Sequence, residues 1–151
     1  MIKAVIFDLG NTLVSEDTGN AFPYAVDVLN KLKEKYKLAL ITNVHHTTTS
    51  EKVQEILADA GIPDVFEVVV VSSQVGCSKP NPRIFEIALK SLNVEHKEAV
   101  MVGNIISTDI FGANRLGMKT ILFQPSDTYQ RSSWEHPDHT IHSIKDLLEI
   151  V

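Results

Sequence analysis

Apolar residues in this chain come in short β-branched runs, and between the runs their spacing changes to that of a helix face. The runs predict strands at 3–8 (KAVIFD), 38–42 (LALIT), 66–72 (FEVVVVS), 99–103 (AVMVG) and 119–123 (KTILF), with a weaker sixth at 139–141 (HTI). Strands alternating with helical segments predict βα units, so the expected fold is an α/β three-layer sandwich with a mostly parallel sheet covered on both faces.

The helices are marked at their ends. Phe22, Ala25, Val26, Leu29, Leu32 and Tyr36 fall on one helical face. Thr48 with Glu51 has the spacing of a capping box, and Gly61 supplies a stop. Asn81 and Pro82 read as N-cap and first helical residue of the next helix. Gly117 ends a segment DIFGANRL, and Ser143 with Asp146 can open the last helix. The polar stretch 124–139 reads as a loop, and with no repeat or low-complexity tract, residues 1–151 are expected to form one domain.

Composition narrows the function. A domain of this length can bury roughly 70% of its extended-chain surface, so it needs no staple. With 14 basic and 19 acidic side chains the net charge is −5, which disfavours DNA and acidic membranes as partners, so a phosphate site would have to be local. Cys77 is the only cysteine, which excludes an internal disulfide and fits a reducing compartment. No apolar run approaches the roughly 18 residues needed to span a bilayer, and the first residues form a strand rather than a signal peptide. A soluble cytoplasmic protein is expected.

Polar residues stand where open α/β sheets bind ligands, at the carboxyl ends of the strands. Asp8 closes the first strand, Thr42 and Asn43 the second, and Asn104 the fourth; Lys79 follows the third, and Asp109 opens the helix after Asn104. Singly, these are ordinary caps, hydroxyls and loop charges. Together they provide an anionic nucleophile, a hydroxyl and an ammonium to hold a phosphate, and a second acid to share a metal.

The segments FDLGNTL, LITN, KPNPRIF and VGNIISTDIFGANRLGM resemble, in that order, the four motifs of the haloacid dehalogenase superfamily, most of whose members are Mg²⁺-dependent phosphatases. The resemblance covers residues 3 to about 123 and implies a modified Rossmann sheet of order 3-2-1-4-5. It implies that Asp8 is the nucleophile and carries an aspartyl phosphate, that Thr42 and Lys79 hold the phosphate oxygens with Asn43 beside them, and that Asp109 and Asn104 help bind Mg²⁺. The backbone carbonyl of Gly10 would be a further metal ligand.

Two positions depart from the family pattern. Gly10 stands where the family carries an acid that protonates the leaving oxygen, a group typically worth about 10²–10⁴-fold. Weak activity biased toward aryl or acyl phosphates is expected, with His45 or His46 the first alternative proton donors. Asn104 replaces an acid and brings an oxygen without charge, so metal affinity should fall. These departures also leave open a non-catalytic binding or scaffolding member of the family. A phospho-accepting receiver domain would need paired acids on the first strand, and haloacid dehalogenation normally comes with a cap domain.

The remaining features carry less. His136, His139 and His142 lack familiar zinc spacing, Trp134 is a candidate partner or flap contact, and Cys77 reads as a bystander thiol. Residues 14–37 and 43–78 leave no room for an inserted cap, so the pocket should be open, which suits a large phosphorylated substrate or a lid from a homo-oligomer.

Overall fold

The computed structural model describes residues 1–126 and 136–151, so Trp134 lies outside the described residues. Six strands form one parallel sheet in the order β3-β2-β1-β4-β5-β6. They are β1 Ala4–Phe7, β2 Lys37–Thr42, β3 Val68–Val71, β4 Ala99–Gly103, β5 Lys119–Phe123 and β6 His139–Ile141. The expected order with β1 central is present, and β6 extends it beyond β5.

Because successive side chains in a strand point to opposite faces, each buried strand feeds two cores. Val5 and Phe7, Leu38 and Leu40, and Val100 and Val102 pack on one face with α1 (Ala25–Lys33), α2 (Ser50–Asp59) and Leu147 of α6 (Leu147–Ile150). Ala4, Ile6, Ala39, Ile41 and Met101 pack on the other, against α4 (Pro82–Leu92) and α5 (Phe111–Arg115). Every residue of β1 is fully buried. A short helix, α3 (Ser72–Val75), follows β3.

Element ends differ from the sequence reading in identifiable ways. Helix α1 starts at Ala25 rather than Phe22, because Tyr24 adopts a left-handed φ of 71° that a helix cannot contain. The cap of α2 is Thr49, whose hydroxyl accepts from Lys52 N at 3.1 Å, not Thr48. Asn81 caps α4 as expected, accepting from Arg83 N at 3.0 Å, with Pro82 as the first helical residue. Ser143 precedes a 3₁₀ turn at Ile144–Asp146, but its side chain makes no cap bond. Asp109 lies inside a single π-helical turn, Ile106–Ile110, ahead of α5.

Helices α4 and α5 meet where Gly112 faces Phe85. A β-carbon on Gly112 would come within 2.7 Å of Phe85 Cζ and 3.2 Å of Pro80 Cα. Phe85 is fully buried and has nowhere to retreat. Gly112→Ala is expected to lower stability by about 1–2 kcal/mol in urea titration, because overpacking outweighs the roughly 1 kcal/mol gained in helix propensity.

Candidate active site

Strand order reverses between β1 and β4, and their carboxyl ends deliver the site. Asp8 follows β1 directly, its N–H donating to Val102 O at 2.9 Å, and continues the alternation of Ala4 and Ile6 toward the α4/α5 face. From the loop ahead of α4, Lys79 reaches under the same point and is 3% exposed. Asn43, at the end of β2, fixes that loop: its Oδ1 accepts from Lys79 N at 2.8 Å and its Nδ2 donates to Lys79 O at 3.0 Å.

The Lys79 ammonium gives one hydrogen to each of three oxygens. It donates to Asp8 Oδ1 at 2.8 Å, to Asp109 Oδ1 at 2.7 Å and to Ile41 O at 2.9 Å. Asp109 is 1% exposed, and its Oδ2 accepts from the N–H groups of Asn104 and Ile105, both at 3.1 Å. A β-carbon on Gly103 would overlap the Asp109 side chain, so the last residue of β4 must be glycine for this carboxylate to lie where it does. Removing one partner of such a buried set typically costs about 3–5 kcal/mol, because the charges left behind lose their compensation.

Electrostatics follow from burial and count. Burial opposes the charge on Lys79, but the carboxylates of Asp109 and Asp8 outweigh it and hold its pKa above the ordinary lysine value. Burial pushes Asp109 up to about 6, with the Asp8 charge adding to the effect while Lys79 pulls the other way. Two carboxylates share one ammonium, which leaves one negative charge uncompensated.

The residues around Asp8 fit a hard cation. The end of the Asn104 amide lies 2.9 Å from Asp8 Oδ2 and 3.3 Å from both Gly10 O and Thr12 Oγ1. With its nitrogen turned inward it donates to those oxygens; with its oxygen inward, a carboxylate, a carbonyl and an amide oxygen face one point. Oxygen-only sets with few charges are what Mg²⁺ accepts. Asp109, whose two oxygens are held by Lys79 and backbone N–H groups, stands behind this set as a second anion. Among the described residues no three His, Cys, Asp or Glu side chains cluster, so His136, His139 and His142 form no such centre.

Thr42 is 4% exposed and, with Gly10, lines a cavity of about 270 Å³ walled by Leu9, Val44, Val53 and Ile56. Across the mouth, a second cavity of about 500 Å³ is bordered by Asn11, Ser15, Asn104 and Gln124. His45 and His46 are exposed, and His45 Nδ1 lies 2.8 Å from Thr47 Oγ1. Cys77 packs against the α4/α5-face core. Two contributors lay outside the sequence reading. Thr12, fully buried, donates to Asp8 Oδ2 at 3.2 Å, and its place four residues after the carboxylate was the available signal. Gly103 had no signal beyond its position at the end of a strand.

A parallel sheet with a buried Asp–Lys–Asp cluster at its switch point defines a doubly wound α/β protein whose site sits at the strand ends. More narrowly, the chain belongs to the family of haloacid dehalogenase-like hydrolases, whose profile matches residues 11–123. It is 38% identical over 132 residues to a glyceraldehyde 3-phosphate phosphatase of Pyrococcus abyssi, covering 85% of this chain and 54% of that protein. A ribulose-1,5-bisphosphate 5-phosphatase of Halopiger xanaduensis is 32% identical over 137 residues, with 85% of this chain and 56% of that one covered. The chain thus spans about half the length of the curated relatives it matches. A crystal structure of a phosphatase from Thermococcus onnurineus shares the fold at a TM-score of 0.85 and 21% identity, covering 99% of this chain and 97% of that chain. No helix among the described residues is long and apolar enough to cross a membrane.

Folding raises the Asp109 pKa from 3.8 to about 6, so the folded chain holds that proton more tightly than the unfolded one. The stability this group contributes is complete below about pH 4 and lost as pH rises through about 6. Urea titrations of the metal-free protein at intervals between pH 4 and 7 are expected to show this loss, and Asp109→Asn should remove that part of the pH dependence.

Proposed function

We propose that the chain is the core of a Mg²⁺-dependent phosphatase that hydrolyses a phosphate monoester through an aspartyl phosphate on Asp8. The observation that carries the reading is the Asp8 carboxylate at the switch point, buried, aimed by Lys79 and Thr12, and faced by the Asn104 amide with the Gly10 carbonyl beside it. Phosphoryl transfer is catalysed mainly by positioning and by neutralising charge, and these residues do both.

In the first step an oxygen of Asp8 attacks phosphorus and the bond to the leaving oxygen breaks. Lys79 keeps the nucleophile oriented and places a positive charge beside the transferring group, and Asn43 holds Lys79 in place. Thr42 offers a hydroxyl to the phosphate oxygens. Asp8, the Gly10 carbonyl and Asn104 would hold the Mg²⁺, with Asp109 behind them. When bound, the ion neutralises the repulsion between a carboxylate and a phosphate dianion. Water then releases phosphate and regenerates Asp8, so one hard displacement becomes two easier ones.

The names of the relatives point to a small alkyl phosphate, and a 500 Å³ cavity beside the site, where the amides of Asn11, Asn104 and Gln124 meet Asp17, Phe22, Ile105 and Phe123, has room for a metabolite of that size. One helix lies between β1 and β2 and one between β2 and β3, so in our reading the core works without a cap at these two positions. A cytoplasmic protein, alone or with a second copy covering the mouth, fits this reading.

Hydrolysis of p-nitrophenyl phosphate is expected to require Mg²⁺ and to vanish in Asp8→Asn, while Asn104→Asp should lower the Mg²⁺ concentration for half-maximal rate. Turnover that survives Asp8→Asn would refute the nucleophile. An unchanged Mg²⁺ titration would put Asn104 outside the metal site.

A further inference from the structure

The loop after β1 folds back on itself. Asn11 adopts a left-handed φ of 57°, Leu13 N donates to Leu9 O at 2.9 Å, and Val14 bridges both Gly10 and Ala21. The turn that follows is closed by Ser15 N to Asn20 O at 2.9 Å, and Asn11 Oδ1 accepts from Glu16 N at 2.9 Å. These bonds aim Glu16 back at Gly10. A β-carbon built on Gly10 would collide with Glu16 Oε1 and lie 3.0 Å from its Cδ.

Position 10 is two residues beyond Asp8, where the family motif carries its acid. The Glu16 carboxyl group fills that space instead. It also lines the 270 Å³ cavity together with Gly10 and Thr42, and it makes no ion pair among the described residues. Gly10 has no positive φ, so its backbone would accept a side chain, and the carboxyl end of the exposed Glu16 lies where that side chain would start.

We propose that Glu16 is the proton donor and acceptor of the reaction, reaching from the turn into the space that Gly10 leaves empty. As Asp8 bonds to phosphorus and the P–O bond to the substrate breaks, the Glu16 carboxyl gives its proton to the departing oxygen, releasing an alcohol. The resulting carboxylate then takes a proton from the water that attacks the phosphorus of the aspartyl phosphate; inorganic phosphate leaves, Asp8 is restored and Glu16 is again protonated. This deepens the phosphatase reading and rests on it. It names a donor other than His45 and His46, which are exposed, with His45 Nδ1 at 2.8 Å from Thr47 Oγ1.

The test compares kcat/KM, which reads the first phosphoryl transfer, for an alkyl phosphate and for acetyl phosphate, whose leaving group needs no proton. Glu16→Gln is expected to lower the alkyl value by about 10²-fold or more and the acetyl value by less than about 3-fold. The surviving, Asp8-dependent acetyl phosphate activity shows that the variant is folded. Gly10→Asp combined with Glu16→Gln puts a carboxyl back into the same space and should recover at least about 10-fold of the alkyl activity. Equal losses on both substrates, or no loss on either, would overturn the role of Glu16 and leave the phosphatase reading standing. Absence of Asp8-dependent turnover of either phosphate by the unaltered protein would overturn both.

Discussion

The Lys79 ammonium, 3% exposed, spends its three hydrogens on Asp8, Asp109 and the carbonyl of Ile41, and so ties together four segments remote in sequence. An ammonium has three donors and no acceptor, so this one is saturated without water. The arrangement holds only if β1 and β2 pair in register, the turn before α5 presents Asp109, and Asn43 clamps the lysine's own backbone. Each condition is a requirement on the fold, and the fold meets them at the point where the strand order turns around.

The same cluster sets the chemistry. One ammonium between two carboxylates leaves a negative excess, and the neutral oxygens of Gly10, Thr12 and Asn104 gather on the side of Asp8 away from Lys79's contact with Oδ1. An anion attacking a phosphate needs that excess removed, so stability of the cluster and its suitability for a divalent cation have one origin. Asn104, an amide, adds no charge to this side of Asp8.

Much of this was legible in the chain. Runs such as AVIF and VVVV read as strands of a covered parallel sheet, and Asp8, Thr42, Lys79 and Asp109 stood out because they end or follow such runs at the ligand-binding edge. Less was legible where neighbours were equivalent or where contact was long-range. Among three consecutive threonines, Thr47 to Thr49, the spacing to Glu51 pointed to Thr48, one residue before the actual cap of α2. Asp109 read as a helix-opening acid, whereas a π turn rotates it onto Lys79. Asn43 read as a substrate ligand, and its pair of backbone bonds to a residue 36 positions away could not be seen in the sequence. Nor could Glu16 against Gly10, because no local pattern links a turn residue to a glycine that it overlies.

The central claim is that Asp8, held by Lys79, takes the phosphoryl group. Acid quenching of a brief reaction with acetyl phosphate and Mg²⁺, followed by peptide mass analysis, tests it most directly. The account predicts a phosphoryl adduct on the peptide carrying Asp8, absent from Asp8→Asn. An adduct on another residue, or turnover with no acid-stable adduct while Asp8→Asn remains active, would contradict it.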